Sequence, residues 1–505
     1  MSRVLTAAPV AVATFVAVLA LAAFALRIGF IPDDGVMLWA GAIMAGDGEM
    51  SVGRIVAAYP TIPFIATTLV DVVAPAGTPT PALLAAGLLG VLAGLWFLSF
   101  RDAGLSLIAA AAFTLLLVLH PALLRAAIAG PAEMFLVAFL YLLGVSLYRL
   151  RARSGVPEVM AIGLALVGLT FSHPMGAAIA LSATPFLIFA IQPVLAASSA
   201  LNVVLALVFP TVFAVGAFVY VSWVFPGSGW SFFAAPAESL SAWIVGVAPT
   251  GLTSVPTIEA GLAMAAALVL AAPLVPVAIG WVLRRRPLVA PAAVFATSIV
   301  AAAGITVSSG FFGDPAPIVV AAPILAAVVI MHVPIVRQRL AIAMALAVVG
   351  WFGGALSLAV IDPRTAGHAI ALLEGHGDRE RLDALALGGA TVDRQGVLVD
   401  TFNAPAVVLG RGTARGLLAP SHETFALSLL FSHIDAPFVA VPNPQNGAGA
   451  QDRLNRAFPL LYRNGAPGYR LVYQNENWRL FERQTQTSAS QLQQPTFVKS
   501  SGTGD

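Results

Sequence analysis

The sequence predicts an all-α polytopic membrane domain of about 11 transmembrane helices of about 20 residues each, followed by a small C-terminal α/β extracytoplasmic domain. Three observations carry this. Hydrophobic residues make up 59% of the 505-residue chain and charged residues only 10%, where a soluble domain carries about 25% charged residues. Long apolar runs recur between residues 4 and 361. From Asp362 onward Arg, Asp and Glu become frequent and short alternating apolar runs replace the long ones.

The apolar runs place spans near 4–26, 80–100, 105–122, 132–148, 157–172, 175–193, 198–224, 260–283, 288–307, 317–335 and 340–361. The first run is too long for a signal-peptide core and reads as a retained span. Residues 61–75 are apolar but short and interrupted by Asp71, which fits a surface or re-entrant helix. Charge tests the count. With the N-terminus cytoplasmic, the inner loops hold Arg101, Arg149, Arg151, Arg153, Arg284, Arg285, Arg286, Arg337 and Arg339, and the outer loops only Arg27, Arg54 and Arg125. That is the asymmetry of the positive-inside rule, and counting 61–75 as a crossing destroys it.

Three regions follow: a membrane domain at 1–361 with a long first outer loop at 27–60, an extracytoplasmic α/β domain at 362–483, and a disordered tail at 484–505 rich in Gln, Ser and Thr. In the second region GVLVD, PAVVL and PFVAVP read as strands, and YRLVYQNENWRLFER as a hairpin turning at Asn475-Glu476-Asn477. Helical patterns lie at 365–388, 421–433 and 449–463, the last stopped by Asn464-Gly465.

Composition also excludes chemistry. The chain has no cysteine, which removes thiol catalysis, disulfides and Cys-ligated metals. A formal charge of +2 gives no footprint for nucleic acid. His332 is the one ionisable side chain well inside a span, whereas ion-coupled carriers use carboxylates at membrane depth. Chemistry is therefore expected at the outer ends of the spans.

The outer loop at 27–60 gathers Asp33, Asp34, Asp47 and Glu49. Asp33 or Asp34 can take a proton from an attacking hydroxyl, and a second carboxylate can hold the acceptor or a divalent cation. The plainer role for Asp34 is to N-cap a helix over 35–45. A second outer segment, HPALLRAAIAGPAE, holds His120, Arg125 and Glu133. Arg125 can neutralise a phosphate or snorkel to headgroups; Glu133 can join the site or sit at a helix N-terminus. His173 in FSHPMG can bond a lipid phosphate or a sugar, or make a tight turn. Asp47, Glu49 and Arg54 read as a solvated face, with phosphate binding the alternative for Arg54. His422, Glu423 and His433 lack the spacing of a zinc helix. GRGTARG at 410–416 reads as a turn.

At these residues the chain resembles the GT-C polytopic membrane glycosyltransferases, which include protein O-mannosyltransferases and aminoarabinose transferases. The likeness lies in the order of the acidic pair Asp33-Asp34, the Tyr59-Pro60 element, the His120–Glu133 segment, the Arg149–Arg153 turn and GLALVGLTFSHPMG. A tail of the pattern FPLLYRNG…LVYQN…WRLF also resembles tails of bacterial members. The chain departs from the family where Thr61 follows Pro60, and where His173-Pro174 replaces a charged pair. The resemblance implies inverting transfer of a sugar from a polyprenyl-phosphate-linked donor to a lipid, glycan or protein acceptor outside the bacterial inner membrane. Carried over, Asp33 or Asp34 is the base, with Glu133 and Arg125 supporting; His173, Arg54, Tyr59 and His120 are, beside Arg125, the candidates for binding substrate. Two other classes stay open: a transporter of lipid-linked sugar, and a non-catalytic scaffold that binds an envelope partner.

Overall fold

The structure is a computed structural model that describes residues 2–30, 32–75, 77–153, 155–225, 289–309, 316–332, 340–361 and 378–484. The chain divides into two compact units, Met1–Leu382 with Gly412–Ala414, and Asp383–Arg411 with Arg415–Asp505. The expected span at 260–283, the first part of the expected helix at 365–388 and the expected tail, apart from Gln484, lie outside the described residues.

The first unit is helical. It begins with α1 (Ser2–Arg27), α2 (Asp33–Gly46), α3 (Val52–Val56), α4 (Thr61–Val73) and α5 (Thr80–Asp102). It continues with α6 (Leu107–Val118), α7 (Pro121–Ala129), α8 (Pro131–Arg153), α9 (Val156–Ser172), α10 (Pro174–Ala183), α11 (Leu187–Ala190) and α12 (Pro193–Val224). After the next described stretch come α13 (Val289–Ser309), α14 (Ala321–His332) and α15 (Leu340–Ile361). Among the described residues six helices are long and apolar enough to cross a membrane, or seven if the bent pair α6–α7 is one span. The expected spans at 157–172, 175–193 and 317–335 form shorter apolar helices.

Local chemistry explains the breaks. The expected span at 105–122 bends by 56° where His120 leaves helical dihedrals and Pro121 opens α7. Proline suits a first helical position because its missing N–H has no partner there anyway. The segment expected as an outer loop, His120 to Glu133, is therefore mostly the helix α7, ended by Gly130 at φ 116°. α4 has 13 residues, too few to span about 30 Å of hydrocarbon. It buries Pro63, Phe64 and Thr67 and exposes Ile65, Leu69 and Val72.

Close packing rests on small residues, as membrane helices require. A Cβ at Gly90 of α5 would lie 2.8 Å from the Ala11 carbonyl of α1, so the two backbones touch. The core around α5 and α8 is filled by Trp96, Phe97, Phe100, Phe113 and Phe295, with Trp96 edge-on to Tyr141 at 6.0 Å. Several hydroxyls inside the helices bond back to their own backbone: Thr114 to the Ala110 carbonyl, Ser298 to that of Val294, Ser357 to that of Gly353. Water is absent in hydrocarbon, so each such group needs a protein partner. His332 does likewise, its Nδ1 2.8 Å from the Val328 carbonyl and its ring stacked on Tyr148.

The second unit is α/β. α16 (Arg379–Ala390) leads into it, followed by β1 (Val397–Leu398), α17 (Pro405–Arg411), β2 (Leu417–Leu418), α18 (Glu423–Leu430) and β3 (Phe438–Pro442). Three short helices α19 (Gly447–Gln451), α20 (Arg453–Ala457) and α21 (Leu461–Asn464) precede the hairpin β4 (Tyr469–Gln474) and β5 (Trp478–Arg483). The sheet order is β2-β1-β3-β5-β4, with β1 parallel to β2 and β3, and β5 antiparallel to both its neighbours. Leu398, Val439, Val441, Phe425, Leu454 and Phe481 form its core.

The hairpin turns where expected. PAVVL, expected as a strand, is instead the helix α17, whose Ala406, Val407 and Val408 are buried on one side. Burial, which both structures provide, decides such a short apolar run more than strand propensity. The helix expected over 449–463 is broken in two places. Asp452 takes ψ 129° as N-cap of α20, and Pro459 follows the extended Phe458. Gly465, at φ 72°, ends α21 as the sequence implies.

Candidate functional site

The acidic pair stands at the start of α2. Pro32 is the N-cap, so Asp33 and Asp34 occupy the first two helical positions. Asp34 therefore does not cap a helix over 35–45, because the fixed φ of Pro32 (−57°) already sets the entry one residue before the pair. Acidic residues suit that first turn because they meet the positive end of the helix dipole. The side chains of Asp33 and Asp34 lie outside the described residues. A cavity of about 40 Å³ adjoins this turn, lined among others by Leu26, Gly35, Trp39, Pro81 and Gly130. It touches both the start of α2 and the turn that leads into α8.

The second segment forms a buried ion pair. Arg125 of α7 and Glu133 in the first turn of α8 lie across the Gly130 turn, and Arg125 Nη1 is 2.7 Å from both Oε1 and Oε2 of Glu133. Their side chains are 12% and 9% exposed. Such a pair is favourable only with good geometry, since both charges leave water. Both predicted roles of Arg125 and Glu133 must therefore start from their engagement with each other.

His173 is buried between α9 and α10 and caps α10, its Nδ1 accepting from the Met175 N–H at 3.0 Å. Burial, with the Arg125 charge adding, holds the imidazole down to about 3. It is neutral, with its proton on Nε2. The turn predicted for His173-Pro174 is thus present, and Gly176 makes it tight: a Cβ there would lie 2.1 Å from the Leu169 carbonyl.

Tyr59 joins the two motifs. Its hydroxyl donates to the Thr170 carbonyl of α9 at 3.1 Å, and burial raises its pKa. His120 is buried as N-cap of α7, its Nδ1 accepting from the Ala122 N–H at 3.3 Å. Its ring is held against α15, where a Cβ at Gly354 would come within 2.6 Å of Cε1 and Nε2. The nearby Trp351 indole donates to the Leu119 carbonyl at 2.5 Å. Arg54 is exposed on α3. Asp47 and Glu49, expected as a solvated face, are half-buried; Asp47 Oδ2 accepts from the Thr413 hydroxyl and the Ala414 N–H at 2.7 Å each, and the Glu49 N–H bonds the Met44 carbonyl.

The structure thus brings Arg125, Glu133 and His173 into one electrostatic neighbourhood, and Tyr59 onto the helix that ends at His173. Sequence reasoning missed Trp351 and Gly354, whose Trp-Phe-Gly-Gly run was legible only as part of a span. It also missed the role of Asp71, which accepts from the Thr80 hydroxyl at 3.2 Å and is raised by burial. No cluster of three or more His, Asp or Glu side chains suited to a metal occurs among the described residues. Compared with family profiles and with curated protein sequences, the chain matches none.

Proposed function

We propose that the chain is an inverting GT-C-type glycosyltransferase that moves a sugar from a polyprenyl-phosphate donor to an extracytoplasmic acceptor. In this reading it lies in the bacterial inner membrane with its N-terminus cytoplasmic and its C-terminal domain outside. Asp33 or Asp34 takes the proton of the acceptor hydroxyl as its oxygen attacks the anomeric carbon, and the bond to the lipid phosphate breaks on the opposite face. The departing phosphate gains charge, which a guanidinium stabilises. Arg125 supplies it by sharing its donors between Glu133 and the phosphate.

The observation that supports this best is the grouping of Arg125, Glu133 and a neutral His173 in one buried neighbourhood, with the Tyr59 hydroxyl bonded to the end of α9. Buried charge and perturbed titration cluster at functional sites, although structural ion pairs produce both as well. One feature favours the scaffold reading instead: the Arg125 Nη1 is already satisfied by both oxygens of Glu133.

The test is turnover by purified wild type, Asp33→Asn and Asp34→Asn on a panel of polyprenyl-phosphate sugars, with folding checked in parallel. Loss of product in one variant, with donor binding retained, places the base there. Equal turnover in all three removes the acidic pair from the chemistry. A folded wild type that consumes no donor, and binds none, favours the scaffold.

A further inference from the structure

In the C-terminal unit two buried oxygens of one helical turn have no donor. Asp452 is fully buried and Asn455 is 8% exposed, and neither Asp452 Oδ2 nor Asn455 Oδ1 has a hydrogen-bond partner. The rest of each side chain is placed. Asp452 Oδ1 accepts from the Asn455 N–H at 2.8 Å. Asn455 Nδ2 donates to the Pro442 and Gly449 carbonyls at 2.9 and 3.1 Å. Those two carbonyls fix which end of the amide is nitrogen, so flipping it cannot supply the missing donor. A buried oxygen without a donor loses its water and gains nothing in return. The two residues are the N-cap and the third residue of α20, one turn apart, where an N-cap side chain reaches the N–H of that third residue.

The charged groups around them do not supply the donor. Asp400, two residues beyond β1, is also fully buried. Its Oδ2 accepts from Asn403 Nδ2 at 2.8 Å and from the Arg453 N–H at 3.1 Å, and its Oδ1 from the Phe402 N–H at 3.3 Å. Arg453 Nε stands 4.0 Å from Asp400 Oδ2. Arg456 lies on α20 itself, and α18 carries Glu423 in its first turn. β3 and α19 bring no charge. A calcium ion takes about six to eight oxygens, and with Asp400 already engaged only the two orphan oxygens remain among these side chains.

We propose that Asp452 carries a proton in the folded domain and donates it from Oδ2 to Oδ1 of Asn455. One proton then satisfies both oxygens and removes one of two adjoining buried negative charges. Burial raises Asp452 to about 7, with Asp400 adding to the rise and the N–H bonds of α20 opposing it. The unfolded chain holds that proton only below about 4. Stability from this group is complete below about pH 4 and is lost as pH rises through about 7. The domain is therefore tightened by acid and loosened near neutrality, at the junction of β1, β3 and α20.

The test is hydrogen exchange of the full chain in detergent, read on the amides of 452–457 and corrected for intrinsic rates. Wild-type protection is expected to fall by about tenfold or more between about pH 5 and about pH 8. Asp452→Asn, whose amide replaces the O–H donor, is expected to be flat across that window. Flat wild-type protection overturns the proposal, and so does a fall that Asp452→Asn retains. Protection at pH 5 that a chelator abolishes also overturns it, because a cation then stands where the proton is placed. Asn455→Ala gives a second reading: loss of the acceptor moves the midpoint of the fall to lower pH, and an unmoved midpoint refutes the shared proton.

Discussion

The Tyr59 hydroxyl donates to the one carbonyl at the end of α9 whose ordinary helical partner cannot exist. Thr170 would receive the N–H of residue 174, and that residue is Pro174, which has none. A side chain from the turn between α3 and α4 thus completes a helix 111 residues away in sequence. Tyr59→Phe is expected to cost about 1–3 kcal/mol by leaving a buried carbonyl unpaired. Thermal unfolding in detergent reads this, and an unchanged midpoint would mean that water reaches the carbonyl.

The Arg125–Glu133 pair predicts a non-additive result. Glu133→Gln removes the charge that Arg125 Nη1 meets in a place with little water, at a cost of about 3–5 kcal/mol. Replacing both residues by Met is expected to cost clearly less than the sum of the single changes. A double-mutant cycle measures the coupling, and additive costs would show that the two residues act separately.

His173 gives a pH signature of its own. Its ordinary value is about 6.5, and burial holds it down to about 3, so between these values the unfolded chain binds a proton that the fold refuses. Stability from this group is present above about pH 6.5 and is lost as pH falls toward 3. His173→Asn keeps an N-cap acceptor without titrating. Its thermal midpoint is expected to fall less than that of wild type on acidification, and parallel curves would refute the assignment.

Gly354→Ala tests the wall behind His120. The new methyl meets the imidazole at 2.6 Å, and overpacking of this kind costs about 1–3 kcal/mol. His120→Ala in the same chain is expected to recover most of that loss. Failure of the second change to rescue the first would place the strain elsewhere.

The elements legible in the sequence are those decided locally. α1, α5 and α8 follow from apolar length alone, and the β4–β5 hairpin from alternation around Asn475-Glu476-Asn477. His120-Pro121 was visible as a motif, but its 56° bend needs His120 to cap α7, a three-dimensional fact. PAVVL has strand propensity, while the segment's close backbone contact is with α16, where a Cβ at Gly388 would meet the Val407 carbonyl. In the candidate site the residue types and their order could be read. The pairing of Arg125 with Glu133 could not, because two opposite charges eight residues apart serve either a ligand or each other. Asp452 escaped for a similar reason: its lack of a donor exists only once β1, β3 and α20 have met.

The strand order of the second unit carries a consequence for biogenesis. β5, the last strand among the described residues, lies between β3 and β4 in the sheet order β2-β1-β3-β5-β4. Until residues 478–483 have left the ribosome, β3 presents a bare edge, and β4 has nothing to pair with. The sheet cannot assemble vectorially as the chain emerges. It waits for β5, so a premature stop before Trp478 leaves an open-edged fragment prone to strand addition from other chains.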